Sequence, residues 1–282
     1  FDWDEMCEVE LPIPSIENQR EIVKQYNTIV NRIKLNEQLN QKLEETAQAL
    51  YRQWFVDFEF PIENGQTYRS SGGKMVYNDE LDQEIPIEWN DCKLKDLVST
   101  QYGYTASASF EIEGPKFLRI TDIAGDYINW DSVPNCPISE KELDKYIIHN
   151  GDILVARTGA TVGFAKRINK LFPKAVFASY LVRLVPLDIN LDHYIGSTVV
   201  SSFYRDYISN VAGGSAQPQA NAVLMSDYKM LHPDNSTMAL FSELVSKIID
   251  QMEILQLENS KLVNLKELVL AKLAIKEKLI TI

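Results

Sequence analysis

Two stretches of the chain repeat each other at a fixed offset of 219 positions, and each carries the spacing of a long coiled-coil helix. At this offset Pro14 matches Pro233, Ile22 matches Phe241, Ile29 matches Ile248 and Val30 matches Ile249. Ile33 matches Met252, Asn40 matches Asn259, Lys42 matches Lys261 and Leu43 matches Leu262. In steps of four and three, the first copy reads Ile22, Tyr26, Ile29, Ile33, Asn36, Asn40, Leu43, Ala47, Leu50, Trp54. The second reads Phe241, Val245, Ile248, Met252, Leu255, Asn259, Leu262, Lys266, Val269, Leu273. A mostly apolar seam sustained over about four heptads favours paired long helices. At ~1.5 Å per residue, a helix from Ser15 to Phe58 spans roughly 65 Å. Helices are therefore expected over 15–60 and 234–282, each behind a proline, with Ser15 capping the first and Asp234 or Ser236 the second. One chain supplies both copies, so the expected packing is an antiparallel pair within one molecule, with an intermolecular coiled coil as the alternative. Asn40 and Asn259 occupy the same seam position. They either fix register and partner at a cost in stability, or mark a point where the seam turns outward and the amides are solvated.

The same offset sets Phe1 to Pro14 against Ala220 to Pro233, the last residues before the second helix. Residues 1–14 thus read as the tail of a preceding copy of the middle segment. The expected parent has the order domain, helix, domain, helix.

Residues 61–90 contain Pro61, Asn64-Gly65, Ser70-Ser71-Gly72-Gly73 and Pro86, and read as a polar linker. Residues 91–233 change to short β-rich runs broken by turns. Phe117 to Ile120, Asp152 to Ala156 and Tyr180 to Val185 are predicted strands. Residues 191–210 are a predicted helix with Tyr194, Ile195, Val199, Phe203 and Tyr207 along one face. The expected fold class is α+β, a β-rich domain with two long helices packed as an antiparallel coiled coil.

Charge divides unevenly along the 282 residues. The total is −12, and residues 1–90 carry 8 basic against 18 acidic groups. Residues 151–185 hold Arg157, Lys166, Arg167, Lys170, Lys174 and Arg183 against Asp152 alone. The acidity therefore does not exclude nucleic acid, whose phosphates require Lys and Arg. Polar, glycine-bearing turns at Tyr102-Gly103-Tyr104-Thr105, Arg157 to Gly163 and Gly213 to Gln219 suit close approach to another backbone. Their side chains are of the kinds used on phosphates and base edges. Gln217 and Gln219 can each read adenine, and Arg157 can read guanine. The candidate DNA-contacting set is Tyr104, Thr105, Lys116, Arg119, Arg157, Thr158, Thr161, Lys166, Gly214, Ser215, Gln217 and Gln219. The expected helix interface is Ile22, Ile29, Ile33, Asn40, Leu43, Leu50, Ile248, Met252, Asn259, Leu262 and Val269.

No catalytic residue and no metal site is expected. There is no Asn/Asp-Pro-Pro-aromatic string, and Arg157-Thr158-Gly159-Ala160-Thr161 lacks the lysine of a phosphate-binding loop. His149, His193 and His232 have no ligand spacing. Cys7, Cys92 and Cys136 are read as inert thiols of a reducing cytoplasm. No apolar run reaches the roughly 18 residues needed to cross a bilayer.

Three strings together resemble the specificity subunits of type I restriction–modification enzymes. Leu11 to Val23 (LPIPSIENQREIV) resembles the family's domain-to-helix junction. Gly151 to Gly159 (GDILVARTG) resembles its central strand and turn, and Gly213 to Gln219 (GGSAQPQ) its late recognition loop. The second junction departs from the pattern, with His232 and Asp234-Asn235 in place of a proline-rich stretch and a Glu-Gln pair. The resemblance implies a non-catalytic C-terminal half of such a subunit, with one target-recognition domain reading half of an interrupted site in double-stranded DNA. It also implies helices that act as a ruler and dock methyltransferase subunits, through which restriction motor subunits join. S-adenosylmethionine is then expected in the methyltransferase partner and no cofactor in this chain. A homodimer is the expectation if the chain is a natural half-subunit. The alternatives are a coiled-coil scaffold with a protein-binding β-rich head, and a nuclease or methyltransferase in its own right.

Overall fold

The computed structural model describes residues 7, 14–63, 65–125, 127–213 and 218–276. Apart from Cys7 and Pro14, the tail expected over 1–14 lies outside these, as do Gly214, Ser215 and Gln217. The chain forms two compact units, one of residues up to Leu43 and from Gln251 onward, the other of Glu44–Asp250. No helix among the described residues is long and apolar enough to cross a membrane.

The first unit is a pair of helical stretches, drawn from α1 (Ile16–Phe55) and from the last helix, α6 (Asn235–Lys276). Ser15 caps α1, its Oγ accepting the Asn18 backbone N–H at 3.3 Å. The pair is antiparallel. Ile29 shares a cleft with Leu265 and Val269, whereas further along α1 Asn36 meets Asn259 earlier in α6. Ile29 and Leu255 are buried, and Ile22, Ile33, Leu43, Met252, Leu262 and Val269 are half-buried, as a seam requires. Val23, Leu35 and Leu39 between them are exposed.

The polar contact in this seam is not the one that the repeat suggests. Asn259 accepts a hydrogen bond from Asn36 Nδ2 at 2.8 Å and donates to the Ile33 carbonyl at 3.4 Å. Asn40 lies one helical turn away, half-buried, and its Oδ1 has no hydrogen-bond partner among the described residues. Beside the amide pair, Arg32 forks onto Glu258 at 2.8 and 3.0 Å.

In the second unit the hub is an antiparallel sheet of order β4-β9-β6-β7: β4 (Val98–Tyr102), β6 (Ile153–Ala156), β7 (Ala165–Arg167) and β9 (Leu181–Pro186). Alternation sends the side chains of β6 and β9 to opposite faces. Ile153, Val155, Val182 and Leu184 join one core, with Trp54, Phe55, Phe58, Phe60, Trp89, Tyr194 and Phe241. Leu154, Ala156 and Leu181 join a second, with Leu118, Ile148, Ile168 and Phe177. Strands buried on both faces read as continuous apolar runs rather than as alternation, which is why Ile153-Leu154-Val155-Ala156 was recognisable. Around the sheet lie a parallel pair of β5 (Lys116–Leu118) with β8 (Ala175–Phe177) and an antiparallel pair of β3 (Asn90–Lys93) with β10 (Lys229–His232). Helix α2 is Glu140–Tyr146 and α5 is Ala222–Ser226.

Three expectations need correction. The linker at 61–90 holds a hairpin of β1 (Met75–Asn78) and β2 (Gln83–Pro86), and it contributes Ile85 and Trp89 to the first core. Its Gly, Ser and Asn residues mark turns, and the apolar residues between them are what pack. The predicted strand at 117–120 ends at Leu118, because Asp122 draws Arg119 into a turn, accepting its backbone N–H at 2.8 Å. The predicted helix at 191–210 is two helices, α3 (Asp192–Val200) and α4 (Ser202–Val211). Ser201 is extended and caps α4 through Tyr204 N–H. The break resets the helical phase, so Tyr204 and Ile208 are buried and Phe203 is exposed.

Helix α6 starts at a cap shared with the core. Asp234 accepts the Thr237 backbone N–H at 2.9 Å and the Trp89 indole N–H at 3.1 Å. Burial alone would raise the pKa of this carboxyl, but hydrogen bonds from Ser236, Thr237 and Trp89 hold it below the ordinary carboxylate range. A depressed native pKa contributes stability above the unfolded value that is lost as pH falls through the native one. Asp234→Ala should therefore cost about 1–2 kcal/mol at neutral pH. The wild-type advantage should shrink below about pH 4, which denaturant titrations of both proteins across pH will test.

For the helix pair, Asn259→Leu removes one of the acceptors of the buried Asn36 amide, which among the described residues keeps only its bond to Glu258, and should cost about 1–3 kcal/mol. Adding Asn36→Leu should recover that loss at the expense of register specificity. Thermal melts of the two variants check this.

Candidate nucleic-acid interface

The sheet brings together glycine-bearing turns that are far apart in sequence. The Arg157–Gly163 turn leaves the end of β6, and Tyr102–Thr105 leaves the end of β4. Between them comes the Ala178–Tyr180 turn that leads into β9, which pairs with both strands. Tyr104 N–H donates to the Phe177 carbonyl at 2.8 Å, and Ser179 N–H donates to the Tyr104 carbonyl at 2.8 Å. Arg157 N–H donates to the Tyr180 carbonyl at 3.0 Å, and its own carbonyl accepts Ala220 N–H at 2.9 Å. Gly159 N–H reaches the Pro218 carbonyl, and Thr158 pairs with Gln219 as an isolated bridge.

Gly103 is required by the closeness of this packing. A Cβ there would sit 2.2 Å from the Ala178 carbonyl oxygen and 2.5 Å from that of Phe177. The surface formed by these turns exposes Tyr180, Tyr102, Thr105 and Gln219, with Arg157 half-buried among them.

Half of the six basic side chains in the run at 151–185 are paired with carboxylates, one with Asp152 inside the run and two with aspartates beyond it. Arg183 lies inside the second face of the sheet, donating to the Ile147 carbonyl at 2.7 Å and to Asp152 at 3.2 Å, with its guanidinium over Phe177. Burial raises the Asp152 pKa, and the His149 N–H and Arg183 act against that rise. Arg167 is paired with Asp192, and Lys170 with Asp250 at 2.7 Å. Sequence distance hides both aspartates from a windowed charge count.

Other candidates are similarly committed. Lys116 donates to the Val133 carbonyl at 2.7 Å. Arg119 forks onto Asp122 at 2.8 and 2.9 Å. Lys166 lies on β7 opposite Leu154, half-buried. Thr161 is half-buried, with an Oγ1 that has no partner among the described residues. The turns therefore gather Tyr104, Thr105, Arg157, Thr158, Thr161 and Gln219, while Lys116 and Arg119 are held by partners of their own.

Three residues outside the sequence-derived set belong to this surface or flank it. The Arg157 guanidinium lies over the Tyr102 ring, 4.8 Å from its centroid. Tyr180 supplies the carbonyl that pins Arg157. At the other end of the Arg157–Gly163 turn, the Arg205 guanidinium from α4 lies 5.3 Å from the centroid of Phe164. Only the aromatic flanks of Gly103 hinted at Tyr102, and nothing local marked Arg205.

No group of His, Cys, Asp and Glu among the described residues is arranged to hold a metal ion. Burial pushes the Cys136 thiol up to about 11 and the Cys92 thiol up to about 12, so both are protonated at neutral pH.

Residues 86–267 match the family described as the type I restriction modification DNA specificity domain, and the chain belongs to that family. It is 25% identical over 284 residues to the type I restriction enzyme MjaIX specificity subunit of Methanocaldococcus jannaschii, across 96% of this chain. It is 23% identical over 324 residues to the HindI specificity subunit of Haemophilus influenzae, across 96% of this chain and 69% of that protein. The chain spans 62% of the length of the MjaIX subunit and 60% of that of the related MjaVIII subunit. Among solved structures, the fold is similar to that of a type I restriction–modification S subunit from M. genitalium. The TM-score is 0.57 at 13% identity, over 96% of this chain and 65% of that one. The α+β class expected from the sequence holds.

Gly103→Ala should push the Tyr102–Thr105 turn off the Phe177–Ala178 backbone at a cost of about 1–3 kcal/mol. A drop in melting temperature, with faster amide exchange at Tyr104 and Ser179 than elsewhere in the sheet, is the expected result.

Proposed function

We propose that this chain is a non-catalytic, DNA-reading part of a type I restriction–modification enzyme, and that the turn cluster around Arg157 reads one half of an interrupted site in double-stranded DNA. One observation carries the reading. Turns from Tyr102, Arg157, Ala178 and Pro218 converge on a single surface that presents an arginine with no carboxylate partner among the described residues. Membership of the specificity-domain family supports it.

The division of labour proposed is that of the family. The paired helices set the gap between half-sites and dock methyltransferase subunits, which bind S-adenosylmethionine and take the target base out of the duplex. Motor-nuclease subunits join through them, in the cytoplasm. Exposed Leu240, Leu244, Ile254, Leu257, Leu265 and Leu268 along α6 suit such a helix-borne docking role. Two copies pairing would supply a second reading domain.

The test is co-expression with the cognate methyltransferase subunit, followed by genome-wide mapping of methylated adenines. The expected outcome is a co-purifying complex and an interrupted motif, which is palindromic if two copies pair. Alone, the chain carries −12 net charge and one reading domain. It should bind duplex no more tightly than about 10⁻⁴–10⁻⁶ M at physiological salt, the range of non-specific contacts. A chain that neither co-purifies with the methyltransferase nor directs any sequence preference would overturn the reading.

A further inference from the structure

The arginines of the Glu44–Asp250 unit that are drawn into the fold are treated unequally. Arg119, Arg167 and Arg183 each face an aspartate, respectively Asp122, Asp192 and Asp152. Arg157 does not. It is half-buried, and its Nε, like those of Arg167 and Arg183, is shut away from solvent without a hydrogen-bond partner among the described residues, so what sets it apart is that no carboxylate there faces it. A half-buried guanidinium without a counter-charge is unfavourable in the free protein, and a ligand that brings acceptors to its terminal Nη groups relieves it.

The side chain is nevertheless held in place. Its backbone is fixed on both sides, by Tyr180 and by Ala220. Its guanidinium rests over the ring of Tyr102, where the electron-rich face attracts a cation. Tyr102 is itself fixed twice. It is the last residue of β4, opposite Val182, and its hydroxyl accepts the Ala222 backbone N–H at 3.0 Å. That N–H belongs to the first turn of α5, next to Val223, which is exposed by 73%.

We propose that Tyr102 is a specificity-determining positioning residue, clamping the Arg157 guanidinium so that its in-plane donors meet the paired N7 and O6 acceptors of one guanine in the major groove. This rests on the DNA-reading function proposed above and deepens it.

Two features favour a base edge over a phosphate. A planar guanidinium lying over an aromatic face still offers its two terminal Nη groups side by side, and these fit two acceptors lying side by side. Tyr180, whose carbonyl holds the Arg157 backbone, and Val223, beside the Ala222 that holds Tyr102, expose apolar groups, which suit base edges and thymine methyls, whereas backbone phosphates attract solvated cations. Tyr102 acts through Arg157, so its loss should change the base that is chosen and not merely the strength of binding.

The test uses the full chain in complex with its methyltransferase and a randomised duplex library, with selected sequences read position by position. Wild type should select a motif containing a guanine at one position. Arg157→Ala, Arg157→Lys (charge kept, fork lost) and Tyr102→Leu should each reduce preference at that same position by about ten- to a hundred-fold. They should leave the other positions within about two-fold. Tyr102→Phe keeps the ring and should restore most of the preference.

A Tyr102→Leu protein that selects the wild-type motif, or that loses all positions equally, overturns the proposal. So does an Arg157→Lys protein with unchanged guanine preference, because the contact is then to a phosphate. A misfolded Tyr102→Leu leaves Arg157→Lys and Tyr102→Phe to decide. If wild type itself selects no motif, it is the DNA-reading function that fails, and not this assignment of roles within it.

Discussion

The antiparallel pairing of β9 with both β4 and β6 is the constraint on which the candidate interface depends. β6 and β9 bury both faces, so neither strand can shift register without moving apolar side chains from one core into the other. The turns at their ends inherit that rigidity. Arg157 follows directly on Ala156, the Ala178–Tyr180 turn leads directly into Leu181, and Tyr102 ends the strand on the other side of β9. A surface built from turns is ordinarily the mobile part of a domain. Here backbone hydrogen bonds between neighbouring turns tie it to the sheet.

The same sheet divides the basic residues between structure and function. Arg183 and Arg119 lie close to their aspartates in the fold, and each pair consumes a positive charge that the sequence had offered to DNA. The Arg183–Asp152 pair is buried, and breaking it by removing one partner is costly because the survivor stays charged and desolvated. Those arginines are therefore tied to the fold. A free arginine in the same unit, stacked but uncompensated, has no comparable structural reason to be charged.

Much of the architecture was legible. The heptad seam was readable because helical periodicity is local and the repeat displays it twice. The β6 run was readable because a doubly buried strand is a block of apolar residues. The hairpin at 75–86 was hidden because its flanks are rich in turn formers, and Ile85 and Trp89 join a core whose other members are mostly distant in sequence, with Trp89 packing on Phe55, Phe58 and Phe60. The site was half legible for the same reason. Glycines and polar residues announced turns, but which turns meet depends on strand order. Which cations stay free depends on carboxylates such as Asp192 and Asp250, supplied from far along the chain.

The repeat also explains an asymmetry in the helix pair. When two copies of one sequence pack antiparallel, each contact has a counterpart generated by exchanging the copies. The counterpart of Asn36 with Asn259 is position 255 with Asn40, since 36 and 255 are equivalent, as are 40 and 259. Position 255 is Leu255, buried and without an amide. Asn40 therefore lacks the partner that Asn259 has, which accounts for its unbonded Oδ1. Had both copies kept the amide, the seam would tolerate exchange of the two helices. A single off-centre amide pair distinguishes them, in the way that a lone buried asparagine fixes register and partner in other coiled coils. The departure from repeat symmetry is thus the part of the seam that encodes which helix is which.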